Sequence, residues 1–264
     1  MHPLCIDEGG VQNERALFVR RLRRGRLAAG ANIRSMLTVT TVRVNETFFS
    51  VQGEGSLAGA PSFFIRLDGC PLRCSWCDTP YALEGTAGSH TDVATLAALA
   101  RGVNRVVITG GEPLAQDIAP LIAAFDPGTH VTVETSGAIF ADLPGVSLFS
   151  VSPKVGTSNY TPKLAVLRKF CTTAESRLQL KFVIGDERDL AEALACVESI
   201  ADALPAGTPV ILQPESGRAG AGELYHAFMR DLTERFLSDA RWRRFDARVL
   251  PQLHYLLWGG EPGR

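Results

Sequence analysis

From residue 61 onward, short apolar runs rich in β-branched residues alternate with longer stretches whose apolar positions recur every three or four residues. Runs at 63–67, 105–109, 131–135, 148–151, 178–183 and 210–213 read as strands, each four to six residues long. Between most of them lie helical patterns at 92–101, 117–125, 161–170 and 189–204, the last with an apolar stripe through Leu190, Leu194, Val197 and Ala201. Further helical patterns occupy 222–237 and 251–258, and an alternating, β-branched run at 37–45 predicts a strand upstream. Strands alternating with helices imply βαβ units and a mainly parallel sheet in an α/β fold. The interval from Thr135 to Leu148 is too short for a full crossover helix, so that unit is expected to be abridged.

Residues 1–35 follow no such pattern. They carry seven arginines and three acids, with glycines as punctuation, and are expected to be an extension that is either disordered or the product of a start codon placed upstream of Met36. Arg20-Arg21-Leu22-Arg23-Arg24 also admits reading as a nucleic-acid or targeting patch. Residues 36–264 are expected to form one domain. At 264 residues, 45% hydrophobic and with formal net charge −1, the chain can bury a substantial core and offers no electrostatic footprint for nucleic acid or an anionic membrane. No apolar run approaches the roughly 18 residues of a membrane span, and no secretory signal core is visible. A cytoplasmic protein without nucleic-acid or membrane partners is the expectation.

Three of the six cysteines fall within one loop, Cys70-Pro71-Leu72-Arg73-Cys74-Ser75-Trp76-Cys77. Cys5, Cys171 and Cys196 stand alone and read as ordinary thiols. The clustered three are too close in sequence for a disulfide framework and read as metal ligands. Three ligands are one fewer than a structural zinc site needs, and a cubane iron–sulfur cluster held by three thiolates would leave one iron open. A zinc-binding module in which His90 or Asp78 supplies the fourth ligand is the competing reading.

Other chemistry-bearing residues recur just past predicted strand ends: Gly110-Gly111-Glu112-Pro113, Ser136-Gly137, Ser152-Pro153-Lys154 and Pro214-Glu215-Ser216. In parallel α/β sheets and barrels the carboxyl edge is where ligands bind, so these loops are expected to build one site.

The C-x3-C-x2-C spacing resembles that of the radical S-adenosylmethionine (SAM) enzymes, and the Gly-Gly-Glu-Pro turn resembles their SAM-amine element. A closer likeness runs from about residue 37 to 258. Gln52-Gly53-Glu54-Gly55, Arg66, Cys74-Ser75-Trp76-Cys77-Asp78-Thr79, Glu134-Thr135-Ser136-Gly137, Lys181-Phe182-Val183, Gln213-Pro214-Glu215 and Arg248 through His254 resemble the 7-carboxy-7-deazaguanine synthase family. The resemblance implies a partial, modified (β/α)6 radical SAM barrel with mainly parallel strands, a [4Fe-4S] cluster, SAM and Mg2+. It implies a lyase of queuosine and deazapurine biosynthesis that turns 6-carboxy-5,6,7,8-tetrahydropterin into 7-carboxy-7-deazaguanine. The reaction would proceed by 5′-deoxyadenosyl radical abstraction of hydrogen at C6, with loss of ammonia. An external electron donor such as flavodoxin or ferredoxin and a homodimer are further implications of the resemblance.

Matched residue by residue, the resemblance gives the cluster to Cys70, Cys74 and Cys77. It gives Mg2+ to Thr79 and substrate to Val51, Gln52, Gly53, Arg66 and Thr109. Positions matching SAM contacts are Trp76, Cys77, Asp78, Gly111, Ser152, Pro153, Lys154, Gln213, Pro214, Glu215 and Ser216. A guanidinium fork suits a substrate carboxylate, although Arg66 paired with an acid such as Asp68 or Glu54 is the structural alternative. Glu112, Glu134 and His254 carry no firm role. Pro71 stands where asparagine is commoner in the family, and the tail Trp258-Gly259-Gly260-Glu261-Pro262 is not placed. Another radical SAM enzyme of similar size, such as a glycyl-radical activase, is the nearest rival within the superfamily.

Overall fold

The computed structural model describes residues 40–174, 177–219 and 222–259. The arginine-rich extension, Cys5, the first residues of the run at 37–45 and the tail from residue 260 lie outside the described residues. Among the described residues nine strands form one sheet: β1 (Thr41–Val51), β2 (Pro61–Leu67), β3 (Ser89–Asp92), β4 (Arg105–Gly110), β5 (His130–Thr135), β6 (Leu148–Val151), β7 (Leu178–Ile184), β8 (Pro209–Pro214) and β9 (Asp246–Val249). Their order is β3-β1-β2-β4-β5-β6-β7-β8-β9, an open sheet with β3 and β9 at its edges. From β2 through β9 every neighbouring pair is parallel, while β1 is antiparallel to β2 and to β3.

Among the described residues, six α-helices of five or more residues accompany the strands: α1 (Val93–Leu99), α2 (Ala119–Ala123), α3 (Leu164–Ala174), α4 (Glu187–Ser199), α5 (Glu223–Ser238) and α6 (Leu253–Trp258). Two begin on an acidic cap. Asp92 accepts from the Ala94 amide at 3.0 Å, and Asp186 accepts from the Asp189 amide at 3.1 Å. No helix spans the link between β5 and β6, as the short interval predicts.

Alternation along each parallel strand separates two chemistries. Val106, Ile108, Val131, Val133, Leu180 and Phe182 are buried in the core with Leu121, Leu167, Phe170, Leu194 and Val197 of the helices. The intervening positions carry Arg66, Thr109, Glu134, Ser150, Lys181 and Gln213 on the other face. Cross-strand register brings them together, with Arg66 beside Thr109 and Glu134 beside Ser150.

Three expectations change. The predicted strand at 37–45 is β1 at Thr41–Val51, since residues 46–51 pair with β2 past an irregularity between Val44 and Glu46. The short edge strands β3 and β9, Ser-His-Thr-Asp and Asp-Ala-Arg-Val, escape prediction because neither is an apolar run and each is fixed by its neighbour. The pattern at 189–204 is helical over Glu187–Ser199.

Phe170 is fully buried and meets Phe140 and Phe149 edge to face, with centroids 5.0 and 5.5 Å away. Phe170→Ala is expected to cost about 3–5 kcal/mol, read as a lower urea midpoint at unchanged slope.

Candidate active site

The cysteine loop leaves the end of β2 and is held by backbone bonds rather than by regular structure. Gly69 donates to the Ala82 carbonyl at 2.8 Å and Cys70 to that of Leu83 at 2.9 Å, while the Arg73 guanidinium donates to the Cys70 carbonyl at 2.6 Å. Cys70, Cys74 and Cys77 are all free and half-buried, and all three line one cavity of about 440 Å³ at the carboxyl edge of the sheet. Burial pushes the Cys70 and Cys74 thiols up, so thiolate there calls for a metal cation. Among the described residues no three His, Cys, Asp or Glu converge as ligands of a single ion. His90 lies on edge strand β3, with Nδ1 3.4 Å from Thr41 Oγ1, and does not line the cavity, whereas Asp78 lines it with the cysteines. Three thiols lining one cavity suit a cluster, in which each thiolate binds a different iron.

The glycine turn after β4 packs directly beneath this loop. Gly110 has φ +137°, and an added Cβ would lie 2.1 Å from the Leu67 carbonyl oxygen. At Gly111 a Cβ would meet the carbonyl oxygens of Gly69 at 2.3 Å and Ala82 at 2.8 Å. Glu112 is fully buried, and its carboxylate accepts from Thr135 Oγ1 at 2.7 Å, the Ser136 amide at 2.9 Å and the Ser136 hydroxyl. It ties β4 to the end of β5, which leaves the backbone of Gly110 and Gly111 as the surface this turn shows the cavity.

Arg66 reaches the cavity from β2. Its Nε donates to Glu46 Oε1 at 2.7 Å, and Tyr81 donates to the same oxygen at 3.0 Å. The acid beside Arg66 is therefore Glu46, from the neighbouring strand, rather than Asp68 or Glu54. Arg66 also lies 5.6 Å over the Phe48 ring, which stacks on Phe64 at 4.9 Å, so an aromatic wall steadies the guanidinium. Next to it, Thr109 Oγ1 donates to Glu134 Oε2 at 2.8 Å and Gln52 Nε2 donates to Glu134 Oε1 at 2.9 Å. Lys154 sits 5.1 Å over the Trp76 ring and donates to Ser152 Oγ at 3.1 Å. Burial and the Lys181 charge push its ammonium pKa down.

The far wall turns on Glu54. One carboxylate oxygen accepts from Gln213 Nε2 at 2.9 Å and Gln252 Nε2 at 2.7 Å, and the other is bonded to Lys181. Burial alone would raise the Glu54 pKa, but the charges of Lys181 and His254 and the bonds from Lys181 and Gln252 hold it at about 2, below the ordinary 4.5. Burial pulls Lys181 down and Glu54 more than restores it, leaving its pKa raised. The contribution of Glu54 to stability is therefore full above about 4.5 and lost as pH falls toward 2. That of Lys181 is present below 10.5 and lost only as pH rises above it. Leu253 donates to the Gly53 carbonyl at 2.8 Å, and Gly53 has no Cβ because one would fall 1.8 Å from His254 Nδ1. α6 thus closes over the loop that follows β1.

Of the residues the sequence singles out, Val51, Gln52, Gly53, Arg66, Trp76, Asp78, Thr79, Thr109, Gly111, Ser152, Lys154, Glu215 and Ser216 line the cavity with the cysteines. Pro153, Gln213 and Pro214 are buried outside the lining, and the Gln213 side chain is committed to Glu54. Sequence reasoning gave no role to Glu46, Tyr81, Lys181 or Gln252 and no firm one to Glu134 or His254. Glu134 nonetheless sits at the end of β5, the one such local signal available, whereas Lys181 lies mid-strand in β7 and His254 in α6. Gln213 Oε1 and Gln252 Oε1 are buried without a hydrogen-bond partner among the described residues.

A parallel α/β sheet whose first parallel strand runs into three cysteines, backed by a glycine turn at the next strand, defines a radical SAM enzyme. The model of the Radical SAM superfamily matches residues 64–171. These enzymes carry a [4Fe-4S] cluster and SAM, and the three free thiols at the cavity wall fit that requirement. More narrowly, the chain belongs to the 7-carboxy-7-deazaguanine synthase family and is a radical SAM lyase of deazapurine biosynthesis. It is 34% identical over 246 residues to the 7-carboxy-7-deazaguanine synthase of Halobacterium salinarum, covering 83% of this chain and 91% of that one. With the Aquifex aeolicus enzyme of the same name it shares 33% over 227 residues, covering 82% and 94%. The crystal structure of QueE from Escherichia coli superposes with a TM-score of 0.62 at 25% identity, covering 81% of this chain and 95% of that one.

Substitutions at Gly111 and at the Glu54–Lys181 pair test the site's construction. Gly111→Ala forces a methyl against backbone that carries the cysteine loop, so substoichiometric iron after anaerobic reconstitution, with unchanged far-UV circular dichroism, is expected. Glu54→Gln leaves Lys181 buried without its counter-charge and is expected to cost about 3–5 kcal/mol in urea unfolding at neutral pH, most of it recovered when Lys181→Met is added.

Proposed function

We propose that the chain converts 6-carboxy-5,6,7,8-tetrahydropterin into 7-carboxy-7-deazaguanine and ammonia, in a route to queuosine or a related deazapurine. The observation that carries this reading is the placement of Arg66 and Thr79 on the same cavity as Cys70, Cys74 and Cys77. A cationic fork for a carboxylate and a hydroxyl for a cation thus flank the cluster ligands in sequence and share their cavity. When bound, the cluster and SAM supply one-electron chemistry that removes hydrogen from C6 of the pterin.

The protein's own part is placement. Arg66, oriented through Nε by Glu46, would hold the substrate carboxylate with its terminal nitrogens. Val51, Gln52 and Gly53 would border the pterin, with Thr109 and Gln52 both fixed through Glu134, so that neither hydroxyl nor amide is free to wander. Trp76, Cys77, Asp78, Gly111, Ser152, Lys154, Glu215 and Ser216 would border SAM, with Lys154 donating to one of its oxygens. Pro153, Gln213 and Pro214 would support that border from behind.

Mg2+ would take the Thr79 hydroxyl, which lies 3.3 Å from Asp78 Oδ1, and complete its shell with substrate oxygens and water. In this reading the ion anchors substrate rather than the fold. An external donor such as flavodoxin or ferredoxin would reduce the cluster, and a cytoplasmic homodimer is the working form. Among the described residues no helix is long and apolar enough to cross a membrane.

Anaerobic incubation with SAM, reductant, Mg2+ and the carboxytetrahydropterin is expected to give a product lighter by one ammonia. An unchanged pterin with an intact cluster would refute the assignment. Arg66→Lys keeps the charge but loses the fork, and is expected to raise KM for the pterin roughly tenfold with a smaller change in kcat. Turnover in rigorously chelated buffer is expected to fall and to recover on adding Mg2+.

A further inference from the structure

The cysteine loop is also gripped from outside the cavity, by a segment that neither the cluster nor the pterin would touch. Trp76, between Cys74 and Cys77, donates its Nε1–H to Thr157 Oγ1 at 3.1 Å, and Ser75 Oγ donates to the Thr157 carbonyl at 2.5 Å. The Arg73 amide donates to Tyr160 Oη at 2.6 Å. Thr157 is itself fixed from the helix layer. Its amide donates to Asp189 Oδ1 at 2.7 Å and its hydroxyl to Asp189 Oδ2 at 2.6 Å, while the Gly185 amide donates to Asp189 Oδ2 at 2.7 Å. Gly156 makes the approach feasible, since a Cβ there would lie 2.4 Å from Asp189 Oδ1.

Asp189 is a completely buried carboxylate in the first turn of α4, and these three donors are neutral. Burying a charge in that setting is costly unless its oxygens are well satisfied, so the groups it accepts from are held firmly. The helix N-terminus adds positive potential on the same side. Because the Thr157 hydroxyl donates its proton to Asp189, its lone pair is left pointing at a donor, and Trp76 Nε1 is the donor that fills it. A single carboxylate thereby sets the direction of the one hydroxyl that orients the Trp76 ring.

We infer that Asp189, acting through Thr157, is a positioning residue for the cysteine loop: it locks the loop segment around Trp76, and with it the ring face that Lys154 covers. The effect on SAM rests on the reading above that Trp76 borders SAM. The effect on the loop does not.

Thr157→Val keeps the side chain's size and removes both hydroxyl bonds, and Thr157→Ser restores them. Asp189→Asn, which turns one acceptor oxygen into a donor, should act in the same direction as Thr157→Val. Amide hydrogen exchange over residues 70–79 of the cluster-loaded protein, and SAM dissociation constants from calorimetry, read the two levels separately. Thr157→Val is expected to speed exchange in the loop and weaken SAM about tenfold each, with Thr157→Ser close to wild type. Exchange at the wild-type rate in Thr157→Val would overturn the inference. Faster exchange with unchanged SAM affinity would uphold the clamp and count instead against a contact between Trp76 and SAM.

Discussion

The buried ion pair between Glu54 and Lys181 is the constraint on which the cavity depends. The sheet is open, with β3 and β9 at its edges. The segment after β1 crosses it all the same: the turn at Gly55–Leu57 packs against β7 and β8, and the Ser56 amide donates to Gln179 Oε1 at 2.9 Å. Glu54 gathers Lys181 from β7, Gln213 from β8 and Gln252 from the start of α6 onto one carboxylate. A barrel that strand pairing leaves unclosed is thus drawn together by one charge and three donors.

Such a cluster contributes less to net stability than its bonds suggest, since desolvating both charges offsets most of the attraction. Its consequence is geometric. An apolar contact in the same place would tolerate sliding, whereas a carboxylate with its oxygens engaged fixes three elements to within a hydrogen bond. The other carboxylates of the region follow the same economy. Glu46 orients Arg66, Glu134 holds Thr109 and Gln52, Glu112 joins β4 to β5, and Asp189 steadies Thr157. Preorganised polar groups of this kind spare a reaction the cost of arranging them when charge and radical character develop.

Much of this was legible in the chain because it is local. Runs of Val and Ile marked the parallel strands, Thr135 to Leu148 was visibly short, and three cysteines in eight residues announced a metal-binding loop. The cavity lining at Val51, Arg66, Thr79, Thr109, Gly111 and Lys154 was foreseeable through the family resemblance of their motifs, and all but Thr79 also lie at or just past a strand end. What stayed hidden is what depends on pairing across the sheet. Glu46 reaches Arg66 only because β1 runs antiparallel to β2, and Glu54 meets Gln252 across 198 positions of sequence. Strands β3 and β9 lack an apolar pattern of their own, because edge position rather than burial makes them strands.

The central claim is that Arg66 and its neighbours hold the pterin with C6 facing the chemistry supported by Cys70, Cys74 and Cys77. Single turnover under anaerobic conditions, with substrate deuterated at C6, tests it most directly. Deuterium appearing in the 5′-deoxyadenosyl group is the predicted result, at less than one atom per product because loss of ammonia alone balances only if one hydrogen is returned to the substrate-derived radical. Product formed alongside 5′-deoxyadenosine free of deuterium would contradict it.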